Sequence, residues 1–73
     1  MAEFSERIRQ LRSEQGMTQE ALGTIIGVTR FSVYSYEKGL NYPEVRSLIT
    51  LADYFGVSTD YLLGRTDNPE INR

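Results

Sequence analysis

The 73-residue sequence contains no cysteine and no histidine, and both absences exclude chemistry. Without cysteine the fold has no disulfide and no thiolate metal ligand. The Cys/His arrangements of nucleophilic catalysis are missing as well, and the scattered acidic residues form no recognisable pair. We therefore expect no enzyme activity, no cofactor and no metal, with stability that rests on helix packing.

Long apolar runs are also absent. No segment approaches the roughly 18 residues that a membrane span requires, and the N-terminal residues MAEFSERIRQ lack the apolar core of a signal peptide. A chain of this length makes one domain, near the small end of what folds alone. We expect a soluble, cytoplasmic protein without a membrane partner.

A surplus of basic residues is missing too, since eight Lys and Arg stand against ten Asp and Glu, for a net charge of −2. This balance opposes nucleic-acid binding, because phosphate contacts supply much of the affinity for DNA. The segment 18–46 is neutral, and its charged residues are Arg30, Lys38, Arg46, Glu20, Glu37 and Glu44. Any binding to DNA would therefore depend on specific contacts and dimerisation more than on a general electrostatic attraction to the phosphates.

The most informative stretch is Thr18–Gly39, TQEALGTIIGVTRFSVYSYEKG, which predicts two short helices joined by a tight turn at Gly27. The first helix has an apolar face at helical spacing, formed by Leu22, Ile25 and Ile26. Thr18 is expected to cap the N-terminus of the first helix, and Thr29 that of the second, which buries Val33 and Tyr36. Such a pair holds its second helix outward, most commonly toward the major groove of DNA.

The remaining sequence predicts three more helices and no strand, which makes an all-α, five-helix fold. Helix 1 is expected over about 3–15, with Phe4, Ile8 and Leu11 inward, and helix 3 ends near Lys38. Pro43 is expected to open helix 4, which runs to about Phe55. Its expected buried residues are Val45, Leu48, Ile49, Ala52 and Phe55.

Ser58 is expected to start a short fifth helix that ends at Gly64. Beyond it, the polar residues RTDNPEINR have no periodicity. The domain is therefore expected to span 1–64, and residues 65–73 to form a frayed, flexible tail.

Several segments together resemble the phage repressor and Cro-like helix-turn-helix family, the xenobiotic response element family of transcriptional regulators. They are GMTQEAL at 16–22, GVTR at 27–30, YEKG at 36–39, Pro43, LADYFGVS at 51–58 and DYLLG at 60–64. The resemblance covers about Phe4 to Gly64 and implies a five-helix, lambda-repressor-like DNA-binding domain. It also implies a sequence-specific transcriptional regulator of double-stranded DNA, a repressor that binds a palindromic operator as a homodimer.

The resemblance also implies which residues contact DNA. Gln19 and Thr29 would contact phosphates, Arg30 would pair with guanine O6 and N7, and Phe31 would pack on a thymine methyl group. Ser35 would reach a base edge, with Tyr34 beside it. The loop that would follow the sugar-phosphate backbone contributes Lys38, Asn41 and Tyr42.

Other positions have structural roles under the same resemblance. Arg12 and Glu37 match a pair that forms a salt bridge between helix 1 and the end of helix 3. Gly23 stands where the family usually has alanine at a close helix approach, and glycine fits at a propensity cost of about 1 kcal/mol. The last helix would either form a dimer contact or pack inward on helices 1 and 4, through Tyr61, Leu62 and Leu63.

Two residues depart from the family pattern. Phe31 and Ser35 stand where the family often has polar residues such as Gln or Lys. The second helix therefore presents two aromatic rings, Phe31 and Tyr34, which favours apolar or shape readout. It also leaves an alternative, in which this surface binds a protein partner and the chain is an antitoxin or anti-repressor.

Overall fold

The computed structural model describes residues 3–71, and these residues form five helices and no strand. The helices are α1 (Phe4–Glu14), α2 (Gln19–Ile26), α3 (Arg30–Glu37), α4 (Val45–Phe55) and α5 (Thr59–Leu62). The predicted all-α, five-helix architecture is confirmed. Within the described range, every helix is too short or too polar to cross a membrane.

Local capping explains where most of the helices begin and end. Three of them begin after a hydroxyl side chain that accepts a hydrogen bond from a backbone N–H, as predicted for Thr18, Thr29 and Ser58. Gly27 has a φ of +78°, which a residue with a side chain rarely adopts, so the chain can turn sharply between α2 and α3. The predicted helix–turn–helix geometry is therefore present.

The start and the buried face of α4 differ from the prediction. The helix begins at Val45 rather than Pro43, with Glu44 in the N-cap position. Val45 is 72% exposed and Ile49 is 48% exposed, so the expected burial of both is wrong. The stripe that meets the core has i, i+3, i+4, i+7 spacing and consists of Leu48, Leu51, Ala52 and Phe55. Val45 and Ile49 lie to one side of it.

The core is one cluster to which every helix contributes. Its buried members are Phe4, Ile8, Leu22, Ile26, Val33, Tyr36, Leu51, Ala52, Val57 and Leu62. Ile25, expected beside Leu22 and Ile26, is instead 39% exposed because α2 turns its Leu22–Gly23–Ile26 side inward. The core meets α3 on the side of Val33 and Tyr36, which leaves the opposite side of α3 uncovered.

Two hydrogen bonds connect residues 65–71 to the helices. The Oδ1 atom of Asp67 accepts a hydrogen bond from the guanidinium of Arg7 at 2.6 Å, which ties the tail to α1. The carbonyl of Pro69 accepts a hydrogen bond from the backbone N–H of Ser58 at 2.9 Å. The remaining tail positions, 72 and 73, lie outside the described residues.

Candidate nucleic-acid interface

The orientation of α3 depends on a close approach at Gly23. A Cβ atom at this position would lie 2.7 Å from the carbonyl oxygen of Val28 and 3.1 Å from that of Thr29. Both neighbours are backbone atoms, so the turn could not accommodate even a methyl group without moving. The predicted close approach at Gly23 is confirmed.

A part-buried ion pair holds the inner side of α3 against α1. Arg12 donates from Nε to Glu37 at 2.6 Å and from a terminal nitrogen to the same carboxylate at 2.9 Å. It also donates to the carbonyl of Met17 at 2.7 Å. The hydrogen bonds that Arg12 donates to Glu37 raise the pKa of Arg12 above its ordinary value. The side chains are 17% and 5% exposed, so this is the expected structural salt bridge in a largely dry setting.

The same carboxylate positions Gln19 at the start of α2. The side-chain nitrogen Nε2 of Gln19 donates to Glu37 at 3.2 Å. Gln19 is half-buried, and it borders the surface on both sides of Tyr34. Arg12, Glu37 and Gln19 thus form a chain of hydrogen bonds that fixes an amide at the edge of α3.

The outer side of α3 carries the predicted base-reading residues. Phe31 is 67% exposed and Tyr34 is 45% exposed, while Ser35 is half-buried. The guanidinium of Arg30 lies 5.0 Å from the centre of the Phe31 ring, and the ammonium of Lys38 lies 5.6 Å from that of Tyr34. A shallow depression of about 250 Å³ lies among Gln19, Arg30, Phe31 and Tyr34.

A second depression beside Tyr34 extends this surface onto α1. Its lining includes Arg9, Arg12, Glu37 and Lys38. We define the α3 face as the lining of the two depressions, which is Arg9, Arg12, Gln19, Arg30, Phe31, Tyr34, Glu37 and Lys38. It contains four cationic side chains and one carboxylate, which is already paired with Arg12.

The α3 face is therefore basic although the whole chain is acidic. Sequence reasoning confined to Thr18–Arg46 missed Arg9, which comes from α1. Arg9 and Arg12 have i, i+3 spacing and share one side of α1, so this signal was available in the sequence.

The remaining predicted contact residues lie around the α3 face. Thr29 caps α3, and its hydroxyl oxygen lies 3.2 Å from the backbone nitrogen of Ser32. Asn41 and Tyr42 are exposed beyond the end of α3 and line neither depression. The Tyr42 ring remains 69% exposed although it packs on Phe4 at 5.4 Å between ring centres.

The expected dimer residues separate into two environments. Leu62 has no exposed surface, so it packs inward and cannot meet a second copy. Tyr61 and Leu63 are half-buried, and the guanidinium of Arg7 lies 3.8 Å from the centre of the Tyr61 ring. Only Tyr61 and Leu63 remain available for the expected contact.

No cluster of acidic side chains among residues 3–71 could hold a metal ion.

Comparison with known proteins shows that this chain is similar to helix-turn-helix proteins. A family model described as helix-turn-helix matches residues 8–62. YobD of Bacillus subtilis, named as an uncharacterized HTH-type transcriptional regulator, is 39% identical over 67 residues, covering 92% of this chain and 60% of YobD. The chain therefore spans about three fifths of the length of that relative.

Solved structures match as well. The crystal structure of the P22 c2 repressor with a synthetic operator has a TM-score of 0.81 and 32% identity, and the match covers 86% of this chain and 96% of that one. The complex of SinR with SinI has a TM-score of 0.73 and 30% identity, over 82% of this chain and 59% of that one. The five-helix fold is thus the one that a phage repressor uses.

Proposed function

This chain belongs to the helix-turn-helix family, and we propose that it is a sequence-specific DNA-binding transcriptional regulator. In this proposal it acts in the cytoplasm as a repressor, and a homodimer reads a palindromic operator. It works by binding, without catalysis or a cofactor. The likeness to the P22 c2 repressor, which was crystallised with an operator, supports this assignment.

The observation that carries the proposal is the composition of the α3 face. Three cations, Arg9, Arg30 and Lys38, surround the exposed rings of an outward helix, and the only carboxylate there is paired with Arg12. A phosphate backbone favours such a cluster because each neutralised phosphate releases bound counterions. The acidic residues that set the net charge line neither depression, apart from Glu37.

Individual roles follow from chemistry and position. Arg30 can donate two parallel hydrogen bonds to guanine O6 and N7 in the major groove. Gln19 keeps a second amide hydrogen beyond the one given to Glu37, so it can donate to a phosphate beside the N–H groups that begin α2. Lys38 and Arg9 provide charge to the flanking backbone.

The test is selection of bound duplexes from random DNA, followed by fluorescence anisotropy on the selected sequence. We expect Arg30→Ala to weaken binding by about 5- to 150-fold and to relax the preference for guanine at one position. Arg65→Ala is the charge-matched control, because its side chain is 73% exposed and lies at the end of α5. If Arg30→Ala and Gln19→Ala both leave the affinity unchanged, the α3 face is not the DNA surface.

The homodimer is tested by the same selection. Two copies of one domain require two copies of one half-site, about one helical turn or about 34–36 Å apart. Sedimentation of the protein–DNA complex should give two chains per duplex. A selected site without an inverted repeat, bound by one chain, would contradict the dimer.

A second candidate function is protein binding through the same face, as in an antitoxin or anti-repressor. The exposure of Phe31, 67%, supports it, and so does the likeness to SinR, which was solved in complex with SinI. This candidate predicts a stoichiometric protein partner and no salt-dependent affinity for any duplex. A steep fall of duplex affinity with salt would instead favour DNA binding.

A further inference from the structure

One side of α4 carries apolar side chains that no other part of residues 3–71 buries. Val45 is 72% exposed and Ile49 is 48% exposed. Their i, i+4 spacing places both side chains on one line along the helix. Neither residue lines a depression of the α3 face, so this apolar line lies outside the proposed DNA contact.

The other end of α4 is concave on the same side. A depression of about 180 Å³ lies where the C-terminal half of α4 meets the start of α5 and the tail. Its lining combines apolar side chains with carboxylates and includes Ile49, Ala52, Val57, Ile71, Asp53 and Asp60. Val45 projects from the first position of the helix. The apolar line therefore has a projecting side chain at one end and a depression at the other.

We propose that this side of α4 is the contact between the two copies of the proposed homodimer. The two α4 helices run antiparallel about a two-fold axis that passes near Ile49, and Val45 of each copy enters the depression of the other. The inference rests on the proposed function and names the surface that forms the dimer. It replaces the expected contact through the last helix.

Charged side chains beside the apolar line fit a second copy of the same helix. Arg46 and Asp53 are both exposed, and no ion pair among residues 3–71 includes either of them. They are about two turns apart, so both lie along one edge of the apolar line. In an antiparallel pair, Arg46 of each copy lies opposite Asp53 of the other. A parallel pair would instead set like charges against each other.

The two-fold arrangement also limits the assembly to two copies. A projection and a complementary depression on different sides of a molecule can add copies without end. Here both features lie on one side of a single helix, so each copy uses its projection and its depression on the same partner. The pair buries Val45 and Ile49 of both copies, and this apolar burial supplies the affinity.

The absence of native cysteine permits a direct test by disulfide crosslinking. Ile49→Cys places a thiol beside the proposed axis, where it meets the same thiol of the other copy. A disulfide requires Cβ atoms about 3.8 Å apart, so only a residue near the axis can crosslink to itself. We expect mild oxidation of this variant to give a covalent dimer, both alone and on the selected duplex. Leu63→Cys, on the last helix, and Leu40→Cys, in the loop before α4, are controls that should stay monomeric.

Charge exchange tests the pairing of the edges. Arg46→Asp and Asp53→Arg each set like charges against each other at two places. Each should therefore weaken pairing by about tenfold or more, measured by analytical ultracentrifugation of the protein alone and on the selected duplex. An equimolar mixture of the two variants should restore pairing, because the mixed dimer has opposite charges at both places. Both side chains are exposed, so thermal unfolding of each variant should change little.

The outcomes separate the inference from the function on which it rests. A crosslink through Leu63→Cys but not through Ile49→Cys would overturn the inference, while DNA binding by a homodimer stands. Two chains per duplex without restoration in the mixture would overturn it as well. A crosslink through Ile49→Cys in a protein that selects no duplex would overturn the DNA-binding function alone. Single chains on and off DNA would overturn both the homodimer and this inference.

Discussion

The helix α3 has eight residues, and its inner and outer sides have different roles. The inner side has almost no solvent contact: Val33 is 0% exposed and Tyr36 is 5% exposed. The outer side exposes Phe31 and Tyr34 to 67% and 45%. One side therefore orients the helix and the other is free to bind, so substitutions on the two sides should separate stability from recognition.

The largest expected effect comes from breaking the ion pair on the inner side. Arg12→Ala leaves the carboxylate of Glu37, whose side chain is 5% exposed, without its cation. We expect the free energy of unfolding to fall by about 3–5 kcal/mol, measured by urea denaturation. The double variant Arg12→Met, Glu37→Leu removes both charges and should recover most of the loss. A loss below about 1 kcal/mol in Arg12→Ala would show that the pair does not orient α3.

The next effect compares the two sides directly through two alanine variants of α3. Val33→Ala removes two buried methyl groups and should reduce the free energy of unfolding by about 2 kcal/mol. Phe31→Ala should change it by no more than about 0.5 kcal/mol, since its ring is exposed. In duplex binding, measured where both variants are fully folded, the order should reverse, and Phe31→Ala should have the larger effect. Equal effects of both variants in both assays would remove the distinction between the two sides.

The smallest effect concerns the phenol on the inner side. Burial raises the pKa of Tyr36 above its ordinary value of 10.0, with the hydroxyl of Ser32 opposing this shift and the charge of Glu44 adding to it. The folded state thus holds the proton more tightly than the unfolded state. This contribution to stability is complete below about pH 10 and is lost as the pH rises through the raised pKa.

The phenol prediction is checked with Tyr36→Phe, which cannot ionise. Its unfolding free energy should fall less steeply between about pH 9 and pH 11 than that of the unchanged protein. The same comparison with Tyr42→Phe, which alters an exposed phenol, is the control. Parallel pH profiles for the unchanged protein and Tyr36→Phe would contradict the burial argument.

Features set within a few residues were predictable. The N-caps Thr18, Thr29 and Ser58 bind backbone groups three residues later, and Gly27 takes a left-handed φ, as predicted. The Arg12–Glu37 pair was predicted through family resemblance, and it too is present. Each of these depends on side-chain type and on spacing, both of which can be read along the chain.

Features that depend on neighbouring elements were not predictable in this way. Val45 and Ile49 fit an apolar pattern, but no other helix covers that side of α4 and both stay exposed. The tail lacks periodicity, yet Arg7 holds Asp67 across 60 positions of sequence. Periodicity indicates which residues can be buried, and only the packing of the helices determines which of them are.

By itself the sequence determined the five helices, the N-caps of three of them and the turn at Gly27, because helix formation depends on local hydrogen bonds and on apolar spacing. It also indicated that Arg30, Phe31 and Tyr34 share the second helix of the pair. Tertiary structure decided that Arg9 from α1 joins them, beside the predicted pair of Arg12 and Glu37. It thereby made a neutral segment into a basic surface, because electrostatic potential depends on distance in space and not on separation along the chain.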